Sequence, residues 1–323
     1  MTVGISFTNG LEAIVIADSR ASQSGRQSDS FDKMGEFNHS SYHGVIFGAG
    51  DGNLFGGVIK NLKFEDRKTL DDYVSAIQEA HKQRIDRSSK SYLESQKAEI
   101  HKKASLLPKG SKRQQFVNKE IAKVLQAYDQ SMQDLQNQTV FVVVAYDNQK
   151  QRIRQFQMHF TGYSENYTDH IEIGSGADGA NMYFMTRLQG VDSKKLNSAD
   201  LAFFVVNGYS LSTVNQGVGG TPKMVHITAE KNEIIDGDRT RVLANLSGAY
   251  LAEFPVPVLT RASTKNLMNE VLNEENPRYE DIAKTVGLNE IALKTALIPY
   301  SVWQERANKQ LFNGPGIGVP PSK

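Results

Sequence analysis

The sequence predicts an α+β protein: two antiparallel sheets with helices on their outer sides. Three observations point there. Strand-like runs come in pairs, with hairpin signals at Asn9-Gly10, Asp147-Asn148 and Lys231-Asn232. Asn, Asp and Gly are the residues that tolerate the positive φ of tight turns. The element order is strands, two helices, strands, two helices, strands, without the strand–helix–strand repeat that builds a parallel sheet. From Thr69 to Gln136 the chain turns Lys-, Gln- and Glu-rich, with apolar residues at helical spacing.

The elements follow in order. Val3 to Phe7 and Leu11 to Ala17 are β-type runs, and a polar Gly/Ser-rich stretch, Asp18 to Ser30, follows as a loop or short twisted hairpin. Phe31 to Phe37 and Tyr42 to Phe47 read as strands. Gly48-Ala49-Gly50-Asp51-Gly52 breaks the sheet and opens a helix from about Asn53 to Leu62. Tyr73, Ile77 and Ala80, then Ile121, Val124, Leu125 and Tyr128, mark a long helical hairpin interrupted by Leu107-Pro108-Lys109-Gly110. Its first half carries Lys82, Arg84, Arg87, Lys90, Lys97, Lys102 and Lys103, which a solvated helix face explains before a docking surface does. Thr139 to Tyr146 is a continuous apolar strand, paired with Arg152 to Phe160. Ile171 to Ile173 is short, and helices follow from Ala180 to about Leu188 and from Ser198 to Val214. Lys223 to Thr228 and Glu233 to Ile235 form a last hairpin. The expected division is a domain at 1–239, with a helical insertion at about 69–136, and a helical extension at 240–323 ending in a Gly/Pro-rich tail.

Composition removes several function classes. Across 323 residues, 37 Lys+Arg balance 36 Asp+Glu, so neither nucleic acid nor an anionic membrane is expected as a whole-protein electrostatic partner. Cysteine is absent, which excludes disulfides, thiolate metal sites and a cysteine nucleophile. No apolar run reaches the roughly 18 residues of a membrane helix, and no signal-peptide pattern opens the chain. A cytoplasmic protein without cofactor or metal is expected. His39 and His43 stand four apart in a strand-or-turn segment, where they share no helix face and have no completing carboxylates. Gly174-Ser175-Gly176-Ala177-Asp178-Gly179 fits the dinucleotide fingerprint, but no second parallel strand ending in an acid follows. Tyr279 to Leu297 has helix-turn-helix spacing, yet its recognition segment Asn289 to Ala296 holds only Lys294 as a cation, so a small packed helical pair is expected there.

The chemistry gathers at the N-terminus. Initiator Met is usually trimmed before a small residue, and Met1-Thr2 would then yield a hydroxyl and a free α-amine on one residue. A threonine hydroxyl needs a base at neutral pH. An α-amine, with a reference pKa of about 8, can accept and return its proton. Asp18 follows a hairpin that returns the chain beside Thr2, and Lys33 comes back along the next strand pair. A lysine lowers the pKa of a nearby amine or hydroxyl, and a buried carboxylate holds that lysine oriented. A surface ion pair is the competing reading of Asp18 and Lys33.

Thr2-Val3-Gly4-Ile5, Ala17-Asp18-Ser19-Arg20-Ala21 and Lys33-Met34 together resemble the opening of a proteasome β-subunit. Bacterial relatives, the peptidase of the two-component ATP-dependent protease and the Anbu proteins, are similar. The resemblance covers about 2–62 and 139–236 and implies a four-layer αββα sandwich, the N-terminal-nucleophile hydrolase fold. It implies Thr2, Asp18 and Lys33 as the catalytic centre. Ala49-Gly50 resembles the turn whose backbone N–H forms the oxyanion hole, with Gly48 as the alternative donor. Ser175, in Ile173-Gly174-Ser175-Gly176, resembles the serine that hydrogen-bonds near the threonine amine, and Gly219-Gly220 resembles the pair ahead of a late strand. Asn215 and Val218 depart from the acidic residue and serine usual before that pair. The implied activity is a threonine peptidase or amidohydrolase acting on a peptide or protein substrate. A transpeptidase using the same threonine and a catalytically silent scaffold or ring protein are the alternatives. Related proteases work inside rings, so a homo-oligomer is implied, with the helical insertion offering a docking surface to an ATPase or another partner.

Overall fold

The computed structural model describes residues 3–18, 21–23, 26–28, 33–50, 56–58, 67–159, 161–213, 222–235, 237–251 and 260–273. In the first sheet β1 (Gly4–Thr8) and β2 (Ala13–Ala17) form the Asn9-Gly10 hairpin, where Gly10 has φ +93°. β10 (His170–Ile173), β11 (Lys223–Ile227) and β12 (Asn232–Ile235) complete the order β10-β1-β2-β11-β12, antiparallel throughout. The second sheet runs β5 (Met34–His39), β6 (Tyr42–Ala49), β7 (Val140–Asp147), β8 (Arg152–His159) and β9 (Gly162–Asn166), each pairing antiparallel with the next. The polar stretch after Asp18 holds a small separate hairpin, β3 (Ala21–Gln23) with β4 (Arg26–Ser28).

Strand alternation explains the layering. Successive side chains point to opposite faces, and every residue of β1, β2 and β6 is buried. Both faces are therefore covered. Ala13, Val15 and Ala17 face Val45, Phe47, Val142 and Val144 between the sheets. Ile5, Phe7, Ile14 and Ile16 turn outward onto α3 (Ala177–Arg187), α4 (Ser198–Ser212), α5 (Gly237–Leu251) and α6 (Arg261–Asn273). On the far side, Ile46, Phe141, Val143 and Phe156 meet Leu70, Tyr73, Val74 and Ile77 of α1 (Leu70–Ser105). The result is the four-layer αββα sandwich.

Local chemistry fixes the helix ends. Thr69 Oγ1 accepts from Asp72 N at the start of α1, whose first turn is acidic and last turn basic, as the helix dipole favours. Asn197 and Asp200 form a capping box on α4. The insertion is a helical hairpin: α1 of 36 residues turns at Leu106–Gly110 into α2 (Ser111–Gln138) of 28 residues. Arg154, buried on β8, ties α1 to the sheet through Asp71 and reaches Asp147 and Glu165 as well.

Several boundaries differ from the sequence reading. β9 was not expected: Gly-Tyr-Ser-Glu-Asn reads as polar, and it forms because it is an edge strand with Glu165 bound to Arg154. β6 continues through Gly48 to Ala49, where the glycine stretch had suggested a break, because both residues stay in register with β7. α3 begins three residues early, at Ala177, with Asp178 in its first turn. β2 starts at Ala13 rather than Leu11, which is exposed. α5 runs through residue 239 and shares one apolar cluster with β1 and β2. Of the expected helix at 53–62, residues 56–58 are described and are helical. The segment 279–297 and the tail lie outside the described residues.

Candidate active site

One end of the sandwich gathers the start of β1, the ends of β2 and β10, and the start of β11. In register, Gly4 stands opposite both Ala17 and Ile173, and Lys223 stands opposite Ala17. From the second sheet, β5 starts and β6 ends there, with Met34 opposite Phe47. Asp18 closes the β1–β2 pair. Its backbone N–H donates to Val3 O at 3.1 Å, and Val3 N–H donates to Asp18 Oδ1 at 3.0 Å. The same Oδ1 accepts from Lys33 Nζ at 2.8 Å. Asp18 is 1% exposed and Lys33 6%, so this is a buried pair and not a surface one. Desolvated charges of either sign persist only when paired and hydrogen-bonded. Here one carboxylate oxygen is fixed by a backbone donor and an ammonium together, which sets where the ammonium sits.

Lys33 is itself held from behind. Gly48 N–H donates to its carbonyl at 3.2 Å, joining the start of β5 to the end of β6. Gly50 lies just past β6 with φ +108°, a backbone setting that side chains resist. Gly174, just past β10, has φ +93°, and Ala177 N–H closes a turn on its carbonyl at 3.0 Å. Ser175 sits in that turn, exposed, ahead of α3. Thr2 lies outside the described residues, as do Asn215, Val218 and Gly219-Gly220; Thr2 is joined covalently to Val3. The structure thus brings together Asp18, Lys33 and the backbone at Val3 and Gly48.

Two residues at this end escaped the sequence reading. A Cβ on Gly4 would lie 2.5 Å from Phe47 Cδ2, so the sheets close here only because residue 4 has no side chain. Its place two after Thr2 was the available signal. Lys223 Nζ lies 3.5 Å from Glu36 Oε1 and 3.5 Å from Met34 O, spanning the sheets beside the Asp18–Lys33 pair. Its place shortly after Gly219-Gly220 marked it.

The decoys resolve. The segment at Gly174–Gly179 follows an antiparallel edge strand, which is not a dinucleotide-binding crossover. His43 is buried with Nε2 2.8 Å from Thr228 O, and His39 Nδ1 accepts from Ser41 N. Among the described residues no group of three or more His, Asp or Glu side chains is placed to hold a metal ion, and no helix is long and apolar enough to cross a membrane. A cavity of about 370 Å³ lies near the opposite end of β11, lined by residues that include His226, Thr228 and Glu233. In its wall His226 Nε2 and Ser198 Oγ both sit 2.8 Å from Glu12 Oε2. Burial pushes the Glu12 carboxyl up, but hydrogen bonds from His226, Ser198 and Asn9 leave it below the usual carboxylate range.

Two antiparallel five-stranded sheets between helical layers define a proteasome-like sandwich. No protein-family model and no curated protein matches the sequence. Solved structures do match in fold. Anbu from Yersinia bercovieri, described as an ancestral beta-subunit, superposes with a TM-score of 0.54 at 12% identity, over 80% of this chain and 99% of that one. Anbu of a helical assembly from Pseudomonas aeruginosa gives 0.54 at 11%, over 80% and 97%. A mutant Anbu from Hyphomicrobium sp. strain MC1 gives 0.53 at 13%, over 78% and 96%. At such identities the likeness is one of fold.

Proposed function

We propose that this chain is an N-terminal-threonine amide hydrolase. The observation that carries the reading is the buried Asp18 Oδ1, which holds both the Val3 N–H and the Lys33 ammonium one residue from Thr2. Removal of Met1 frees the Thr2 α-amine. Thr2 Oγ attacks a peptide carbonyl while that amine takes its proton. The charge of Lys33 favours the neutral amine needed for this. The new oxyanion accepts from the Gly50 N–H; Gly48, the alternative, already donates to Lys33 O. The amine returns the proton to the leaving nitrogen, the C–N bond breaks, and an ester to Thr2 remains. Water, deprotonated by the same amine, cleaves the ester and restores the hydroxyl. Ser175 positions the amine from the turn ahead of α3. By analogy with the helical assembly of Anbu, the chain works as a homo-oligomer.

A threonine-reactive electrophile tests this. Intact mass should show loss of Met1 and one adduct per chain, abolished in Thr2→Ala. Retained Met1, or equal labelling of the variant, would refute it. One observation favours a silent scaffold instead: Asn215 and Val218 replace the acid and serine of the resembled family. A trimmed, folded chain that never acylates would establish that reading.

A further inference from the structure

The near-zero net charge of the chain hides a strong local imbalance. Between Glu99 and Glu120 there is no acidic residue, while Lys102, Lys109, Lys112 and Arg113 flank the turn between α1 and α2, together with Lys103, which pairs with Glu99 at 2.7 Å. α1 packs on the sheet through His81, whose ring meets Phe141, and stays buried at Ile85 and Ser89; beyond Ser89 the helix runs a further 16 residues to Ser105, or about 24 Å. The tip is the far end of an arm whose outer part, among the described residues, holds a small apolar cluster of its own around Ile100, Ala104 and Val117.

Folding explains part of this charge and not the rest. Lys102 and Lys103 sit in the last turn of α1, where the helix dipole favours cations. Lys112 and Arg113 sit in the first turn of α2, where it disfavours them, and no acid stands there to compensate. The apex itself is apolar. Leu106 is 86% exposed and Leu107 39%, followed by Pro108. Neither leucine belongs to the apolar cluster of the arm. The tip thus presents two exposed leucines, Leu106 more fully than Leu107, among cations.

We infer that this tip docks on the surface of an anionic bilayer, with Leu106 and Leu107 entering the headgroup–acyl boundary and the cations meeting the lipid phosphates. A bilayer is the surface that answers both features, being negative outside and apolar just beneath. A protruding apex suits a plane rather than a groove. Nucleic acid answers the cations but gives the leucines no role, and the tip has no aromatic ring for stacking.

The test uses the full chain and sedimentation with vesicles of about 30% phosphatidylglycerol in phosphatidylcholine, against phosphatidylcholine alone. The chain should partition to the anionic vesicles, and high salt should release it. Each cation reversed among Lys102, Lys109 and Lys112 should weaken partition by about fivefold or more. Leu106→Asp with Leu107→Asp should weaken it at least about tenfold, with circular dichroism and Thr2 labelling unchanged. No partition of wild type, equal partition to neutral vesicles, or a leucine variant that binds as wild type each overturns the inference. The last result, together with capture of the chain by duplex DNA or an acidic polypeptide, would make the tip a general polyanion site.

Discussion

Asp18→Asn isolates one charge in the candidate site. The amide keeps the shape of the side chain, and its oxygen still accepts from Val3 N–H, 3.0 Å away in the wild type. What disappears is the negative partner of Lys33, a residue only 6% exposed. Removing one member of a buried ion pair costs about 3–5 kcal/mol, because the surviving charge loses the partner that offsets its desolvation. The Val3 bond falls from charge-assisted to neutral, a further loss of about 1 kcal/mol that overlaps the first. Against a typical domain stability of about 5–15 kcal/mol this is severe but survivable. Lys33→Met leaves the carboxylate buried without the ammonium that offsets its desolvation and should cost a similar amount. In the double variant neither charge remains, so it should be more stable than the sum of the singles predicts, by at least about 2 kcal/mol. Urea unfolding followed by circular dichroism at neutral pH gives all four corners of the cycle. Additive effects, with a coupling below about 0.5 kcal/mol, would refute the pair as drawn. Acylation separates structure from chemistry: the double variant should recover stability and stay slow to label Thr2.

Two more perturbations reach different parts of the fold. Gly4→Ala places a methyl 2.5 Å from the fully buried Phe47 ring; a loss of about 1–3 kcal/mol is expected, partly restored by Phe47→Leu, and an unfolding midpoint equal to wild type would contradict the close sheet approach. His81, buried edge-on against Phe141, has its pKa pushed down to about 4 by desolvation. The unfolded chain, with histidine near 6.5, then binds more protons than the folded one between those values. Stability from this group is complete above about pH 6.5 and is lost as pH falls toward about 4. Between about pH 7.5 and about pH 5 the loss should be about 2 kcal/mol, and His81→Leu should remove that slope; an unchanged slope would show that another group causes it.

What the sequence disclosed follows from where the physics is local. The two hairpins at Asn9-Gly10 and Asp147-Asn148 need only turn chemistry and flanking apolar runs, and both formed where those signals stood. The αα hairpin needs only periodicity and the break at Leu107–Gly110. β9 stayed hidden because its stability comes from a long-range partner: Glu165 binds an arginine that also grips Asp71 of α1 and Asp147 of β7. Nothing in Gly162–Asn166 announces that. The candidate site divides in the same way. Asp18 and Lys33 were legible as residues, yet burial alone separates a surface pair from a fixed one, and burial is a property of both sheets at once. The bond from Gly48 N–H to Lys33 O is of this kind too: it joins residues 15 positions apart and decides which glycine keeps its donor. The N–H that holds Lys33 in place is thereby committed; in the mechanism we propose, the oxyanion would accept instead from Gly50, whose φ of +108° sets it apart. The same glycine-rich run that looked like a simple sheet breaker therefore does two jobs in sequence. It first extends β6 to anchor the lysine, then turns sharply at Gly50, and moving the strand end by one residue in either direction would separate those jobs.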